Sequence, residues 1–348
     1  MKAMHLLSSK LCDKEYLLPR MSYFGIRRMT TPNPTDLLQA YEEARKSKDT
    51  IPLVFLRAAQ STWNKDNCFI GWTDTPLTRE GVLEARVAGK LMKESGLDFD
   101  EAHCSVLRRA TKTVWLALQE LDLEWIQVYK DWRLNEQQYG ALVGKNRKQC
   151  AQEFGAERVK RWRRSWDENE KPPPIKNMKL YPGNGNAARW LFLNQVTVCP
   201  VDIRYKMMGL SENDIPYTES LRDVFRRTDQ YWDEQIVPKL KAGKKLLIVA
   251  HGGNIRSMVK RLDDMTVDQS IDFSIPRCWP LVYQLNRTTL KPVKQAGSAS
   301  GINGKFLGDL ELMQQKLEKE HKLVYDLSVS HHAPSNRPFL LITHITTL

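Results

Sequence analysis

Two stretches far apart in the chain share one pattern: an unbroken apolar run, a polar turn, and then a helix-like segment. "IPLVFLRAAQ" begins at Ile51 and "KLLIVAHGGNIRSMVKRL" at Lys245. Apolar runs of this length without polar alternation fit strands covered on both faces, the usual state of parallel sheets. The runs predict strands at Ile51 to Leu56 and Leu246 to Ala250. Between them, "TREGVLEARVAGKLMKESG" predicts a helix ending at Gly96. Thr78 can cap it, Glu80 suits its positive end, and Val82, Ala85, Ala88-Gly89 and Met92 recur at helical spacing. "EAHCSVLRRATKTVWLALQEL" reads as a strand end passing into a second helix. Strands alternating with helices predict an α/β fold, three layers α/β/α around a mostly parallel sheet.

In such sheets function gathers beyond the carboxyl ends of the strands. Arg57 and His251 each stand just past a predicted strand and are expected to converge, although 194 positions separate them. Arg57 opens the stretch "RAAQSTWNKDNCFIGWTD", and the next two residues are Ala58 and Ala59. A strand that delivers an arginine to a polar loop usually delivers something reactive with it. Here that place holds two methyl groups.

The remaining motifs fall in a recognisable order. "GWTDTPLTREG", "SVLRRA", "WRLNEQQYGAL", "RWRRSWD", "PPP", "YPGN", "TESL", "YWDEQIVPKLKAGKKLLIVAHG" and "IPRCWPLVYQL" together resemble the cofactor-dependent phosphoglycerate mutases of the histidine phosphatase superfamily. The resemblance covers about residues 51–184 and 202–294. It implies a phosphoglycerate-mutase-like fold and, in active members, a phosphohistidine relay. The family opens on Arg-His-Gly; this chain has Arg57, then Ala58 at the nucleophile and Ala59 at the glycine. Arg57, Asn64 and Arg109 match phosphate-binding positions, Glu136 the acid/base carboxylate, and Tyr139 a substrate contact. Arg163 and Arg164 match the pair that clamps the substrate, Arg147 stands where the family has lysine, and His251 matches the second pocket histidine. Ile70, Gln137, Gln138 and Gly253 depart from the pattern. Alanine has no lone pair and cannot become a phosphoramidate. Losing the nucleophile of a catalytic unit costs on the order of 10⁶ in rate. The resemblance therefore implies a degenerate member, with no active catalytic residue expected and Arg57, Glu136 and His251 left as remnants.

Composition adds partners to this expectation. Lys and Arg number 53 against 41 Asp and Glu, a net charge of +12. Such an excess suits RNA, DNA or an acidic assembly as neighbour, with salt-screened surface lysines as the plainer reading. A stretch from Lys145 to Arg164 holds eight basic residues against two acids, although part of it belongs to the substrate-binding positions. The six cysteines form no C-x-x-C pair, so no metal site or disulfide framework is predicted, no cofactor is implied, and a reducing compartment fits. No run is long and apolar enough to predict a membrane span. Up to Thr30 there are six Lys/Arg and two acids, which leans towards a mitochondrial presequence, with a cytoplasmic location as the alternative.

Three regions are read from this pattern. Residues 1–50 form an N-terminal extension with a short helix from Thr35 to Lys46. Residues 51–296 form the mutase-like domain, with "NAARWLFLNQVTVCPV" at 186–201 as an insertion whose apolar residues call for cover. Residues 297–348 form a C-terminal helix, with Leu310, Met313, Leu317 and Val324 on one stripe, and a tail, "RPFLLITHITTL", that reads as a strand. The extension, insertion and tail are the expected sites for protein partners. The leading expectation is a catalytically inactive structural or assembly component of a larger complex, mitochondrial and RNA-containing in the manner of a ribosomal particle. Residual mutase or phosphatase activity through His251, and a sensor that binds a phosphorylated small molecule, are the alternatives.

Overall fold

Among the described residues, strand β1 (Thr50–Arg57) lies inside a seven-stranded sheet, and this central place is the reason both faces of the strand are apolar. A computed structural model describes residues 49–174, 203–299 and 301–325, all within one unit spanning residues 49–348. The predicted helix at Thr35, the insertion at 186–201 and the tail strand lie outside the described residues. The other strands are β2 (Glu101–Cys104), β3 (Gln127–Lys130), β4 (Leu246–Ala250), β5 (Leu281–Asn286), β6 (Pro292–Val293) and β7 (Lys305–Phe306). Their order is β3-β2-β4-β1-β5-β6, with β7 also paired to β5. The first four are mutually parallel, whereas β5 runs antiparallel to β1, and β6 and β7 antiparallel to β5. The expected three-layer, mostly parallel α/β fold is present.

Among the described residues, the helices of six or more residues are α1 (Arg79–Glu94), α2 (Arg108–Glu120), α3 (Arg147–Phe154), α4 (Ala156–Arg164), α5 (Leu221–Tyr231), α6 (Gly252–Leu262), α7 (Val267–Asp272) and α8 (Leu310–Tyr325). The pleat sends alternate residues of the central strands to opposite layers. Val54, Leu56, Leu247 and Val249 pack with Ala85, Ala88 and Met92 of α1 and Ala110 and Val114 of α2. Leu53, Phe55, Leu246 and Ile248 pack on the other side with Tyr231 of α5 and with Ile255, Met258 and Val259 of α6. These side chains are essentially inaccessible. Truncating one such leucine to alanine costs about 2–5 kcal/mol.

Helix α1 starts where the sequence places it: the Thr78 hydroxyl accepts a hydrogen bond from the amide of Gly81 at 2.9 Å. Gly81 is required for a further reason. A Cβ there would stand 2.1 Å from the carbonyl oxygen of Gln60, so α1 approaches the loop after β1 only because a side chain is missing. The C-terminal helix is also present, at residues 310–325. Its stripe differs from the expected one: Met313 is buried, but Leu310 is 47% exposed. Leu310 is the first residue of the helix, one turn short of the surface that Met313 covers.

Candidate functional site

Parallel pairing sets Arg57 directly beside Ala250, so the ends of β1 and β4 open onto the same ground and the segment carrying His251 starts next to Arg57. The backbone is fastened there from three sides. The amide of Ala58 donates to the carbonyl of Ala250 at 2.9 Å, that of Ala59 to the Thr113 hydroxyl at 3.0 Å, and that of Cys278 to the carbonyl of Arg57 at 3.0 Å. Ala58 and Ala59 are both buried.

A cavity of about 180 Å³ opens at this strand edge. Arg57 forms one wall with Gln60, Asn64 and Lys65 from the loop and short helix that follow β1. Glu136, Gln137 and Tyr139 line another part. Arg147 enters from α3, and Arg163 and Arg164 from α4. These two helices are fixed by a small core of Phe69, Tyr139, Leu142, Cys150, Ala151 and Val159. Gly252, Gly253 and Arg256 come from the first turns of α6, and Ser274, Ile275 and Arg277 from the segment before β5. Leu317 and Glu320 of α8 complete the wall.

The lining carries seven cationic side chains (Arg57, Lys65, Arg147, Arg163, Arg164, Arg256 and Arg277) against two carboxylates, Glu136 and Glu320. Burial, and after it their mutual repulsion, weakens the hold of two of these groups, Arg147 and Arg256, on their protons. Burial, followed by the charge of Arg163, lowers the pKa of Arg147 to about 10. Burial, followed by the charges of Arg164 and Arg57, holds Arg256 well below the ordinary guanidinium range. Burial also lowers Arg57, against the opposing attraction of Glu320. Nε of Arg147 and Nε of Arg277 are buried without a hydrogen-bond partner among the described residues. A cavity wall of this kind favours an anion, because each incoming negative charge relieves repulsion among groups already removed from water.

Several side chains are fixed by the fold and held ready. Nη1 of Arg57 donates to the carbonyl of Ile275 at 2.6 Å, Nη1 of Arg164 to that of Ile271 at 2.9 Å, and Nε of Arg256 to that of Phe273 at 2.7 Å. The Glu136 loop is set by a buried ion pair: Nε and Nη2 of Arg227 bind the two oxygens of Glu219 at 2.8 and 3.0 Å. The same guanidinium donates to the carbonyls of Arg133 and Glu136. Gln137 and Gln138 serve this frame. Nε2 of Gln137 donates to the carbonyl of Glu219 at 2.8 Å, and the amide of Gln138 to a Glu219 carboxylate oxygen at 2.8 Å.

Of the residues singled out in the sequence, Arg57, Asn64, Glu136, Tyr139, Arg147, Arg163 and Arg164 line the cavity together. Asn64 spends its amide oxygen locally, accepting from the Ser61 amide and hydroxyl. Arg109 and His251 are not among the lining residues. Arg109 is almost fully buried and donates to the carbonyls of Thr73 and Gly71 at 2.9 and 3.0 Å, which ties down the Gly71–Asp74 turn. His251 is 2% exposed, with Nε2 at 2.8 Å from the Ser105 hydroxyl and Nδ1 at 3.9 Å from Glu136. Burial, then the charges of Arg109, Arg227 and Arg57, lowers its pKa well below the ordinary imidazole value. Arg256, Arg277 and Glu320 were not singled out from sequence. Arg256 had a signal, since it falls five positions after His251 on the helix that leaves the strand end.

Comparison with known proteins follows this geometry. A profile of the histidine phosphatase superfamily (branch 1) matches residues 53–179 and 203–292, more than half of the chain. Among solved structures, the alpha-ribazole phosphatase of Shigella flexneri is similar at 18% identity and a TM-score of 0.50, over 74% of this chain and 99% of its own. A phosphoglycerate mutase of Bacillus anthracis is similar at 15% identity and a TM-score of 0.47, over 73% and 94%. A mycobacterial glucosyl-3-phosphoglycerate phosphatase is similar at 18% identity and a TM-score of 0.47, over 74% and 96%. The first of these is a likeness of fold alone. On the profile match, this chain belongs to branch 1 of the histidine phosphatase superfamily.

Proposed function

We propose that this chain is a catalytically inactive member of its superfamily that holds a phosphorylated anion in the arginine-lined cavity without accepting its phosphoryl group. One observation carries the reading: the cavity is rich in guanidinium groups, yet no histidine or cysteine is found among the described residues that line it. The position that resembles the nucleophile is Ala58, whose side chain is a single methyl group. His251, the remaining candidate, is buried and spends Nε2 on Ser105. The lost rate, on the order of 10⁶, corresponds to roughly 8 kcal/mol of barrier, which neighbouring arginines do not supply.

Isothermal titration with 3-phosphoglycerate and 2,3-bisphosphoglycerate, paired with a coupled mutase and phosphatase assay, tests this. The expected result is binding without turnover. Phosphohistidine recovered from the native chain after incubation with 2,3-bisphosphoglycerate overturns the inactive part of the reading, and absence of heat at millimolar ligand overturns the binding part.

A place in a larger, RNA-containing mitochondrial assembly belongs to the same proposal. It is supported by the +12 charge and the basic first thirty residues. Co-purification followed by mass spectrometry tests it, and a monodisperse, partner-free protein counts against it.

A further inference from the structure

Helix α8 enters the cavity from beyond residue 292, the last that the superfamily profile matches. Its Glu320 places Oε1 at 2.7 Å from Nη2 of Arg277 and Oε2 at 3.8 Å from Nη1 of Arg57. One carboxylate thus engages two guanidiniums with its two oxygens. The pair is well shielded: the Arg277 side chain is 13% exposed and that of Glu320 is 27% exposed. Shielding of this degree makes an ion pair stronger than its counterpart on the open surface. Glu320 is also the largest attractive influence on Arg57, opposing burial and the repulsion from Arg277.

Among its described side chains, α8 is also held at three further points. Met313 is buried, Leu317 lines the cavity, and Nζ of Lys316 lies 3.8 Å from Glu84 and 4.9 Å from the centre of the Trp279 ring. Leu310 and Leu312 are 47% and 45% exposed. Most helical stability in proteins comes from tertiary packing, so contacts of this kind keep α8 docked.

The geometry points to Glu320 as a tethered occupant of the anion site: its carboxylate fills the Arg57–Arg277 pair when no ligand is bound, and an arriving phosphate group displaces it and frees α8. Arg277 is the binding residue common to both states. The inference rests on the anion-binding reading of the cavity. A carboxylate brings one negative charge and two acceptor oxygens. A phosphate monoester brings a charge of about −1.5 to −2 and three strong acceptors, so the exchange favours the ligand in a cavity lined mainly by cations. No covalent bond changes. The consequence is that ligand occupancy is reported at the surface as release of a helix.

The test uses the full chain with 3-phosphoglycerate as probe, comparing wild type, Glu320→Gln and Arg277→Gln by titration calorimetry and hydrogen exchange over residues 310–325. Removing the internal competitor is expected to tighten binding about tenfold in Glu320→Gln, the change expected of one shielded ion pair. In wild type, amides of α8 lose protection when ligand is added; in both variants they are already poorly protected without it. Arg277→Gln binds the probe more weakly than wild type. Equal affinity of wild type and Glu320→Gln overturns the competition and leaves the anion-binding reading intact. Protection of α8 that ignores the ligand overturns the displacement. Absence of binding in both wild type and Glu320→Gln overturns the anion-binding reading and this inference together.

Discussion

Nε2 of His251 and Oγ of Ser105 stand 2.8 Å apart, and both residues are buried. With its pKa depressed, this imidazole is neutral in the folded chain at physiological pH, and the hydrogen bond to Ser105 fixes its ring. A second buried imidazole, His103, lies 2.7 Å from the Tyr231 hydroxyl, and burial lowers its pKa to about 3.

Stability should therefore fall as the solution is acidified. Below the ordinary imidazole value the unfolded chain binds a proton at each of these positions while the folded chain does not, so stability rises with pH through that window. Each histidine contributes up to about 1.4 kcal/mol per pH unit between its unfolded and folded pKa values. Urea unfolding at pH 7.5, 6.0 and 5.0 measures the slope. His103→Phe is expected to flatten it by one histidine's share, and an unchanged slope refutes the assignment.

The proposed lack of turnover is tested at Ala58. After incubation with 2,3-bisphosphoglycerate, the native chain is expected to show no phosphoramidate signal in phosphorus NMR. The Ala58→His/Ala59→Gly variant places an imidazole and a glycine there, and is expected to show the signal. Failure of the folded variant to accept phosphate would mean that the rest of the site has also lost its geometry.

Arg147 should cost the empty protein stability. It is charged at neutral pH in both folded and unfolded chains, and burial, followed by the neighbouring cations, penalises that charge in the fold. Its guanidinium also lies 5.6 Å from the centre of the Phe69 ring, a contact that methionine can replace. Arg147→Met is expected to raise the stability of the ligand-free protein by about 1–2 kcal/mol, or several degrees in Tm. Scanning calorimetry with and without 3-phosphoglycerate should show that the variant gains less from the ligand than wild type does.

The Arg227–Glu219 pair is expected to act through support alone. Its side chains are 7% and 5% exposed, and Glu219→Gln leaves a buried guanidinium without its counter-charge. The expected loss is about 3–5 kcal/mol in urea unfolding, far above the effect of an exposed control such as Asp233→Asn, whose side chain is 56% exposed in its pair with Arg261. The Arg261–Asp233 pair is bidentate too, so equal effects would show that burial of the pair contributes nothing.

The strand ends were legible because their apolar runs have one physical explanation, and strand parallelism then brings Arg57 and the segment of His251 together whatever lies between. The α1 cap was legible for the same reason, since a threonine before an apolar helical stripe has a local role. Arg109 was harder. Its motif names an anion-binding position, but only the turn at Gly71–Asp74 shows that two carbonyls take its donors. Arg277 and Glu320 carried no local signal. An arginine in a proline-flanked loop and a glutamate among the charges of an amphipathic helix become partners only when a segment late in the chain folds back over the strand edge. Leu310 misled for a related reason, because periodicity defines a stripe but not where its cover ends.

The fastening around Ala58 has a last consequence. Backbone amides donating to the Ala250 carbonyl and the Thr113 hydroxyl, and the Cys278 amide donating to the Arg57 carbonyl, hold the end of β1 without help from any side chain at position 58. The path of the main chain at this place is thus set apart from the side chain that position 58 carries.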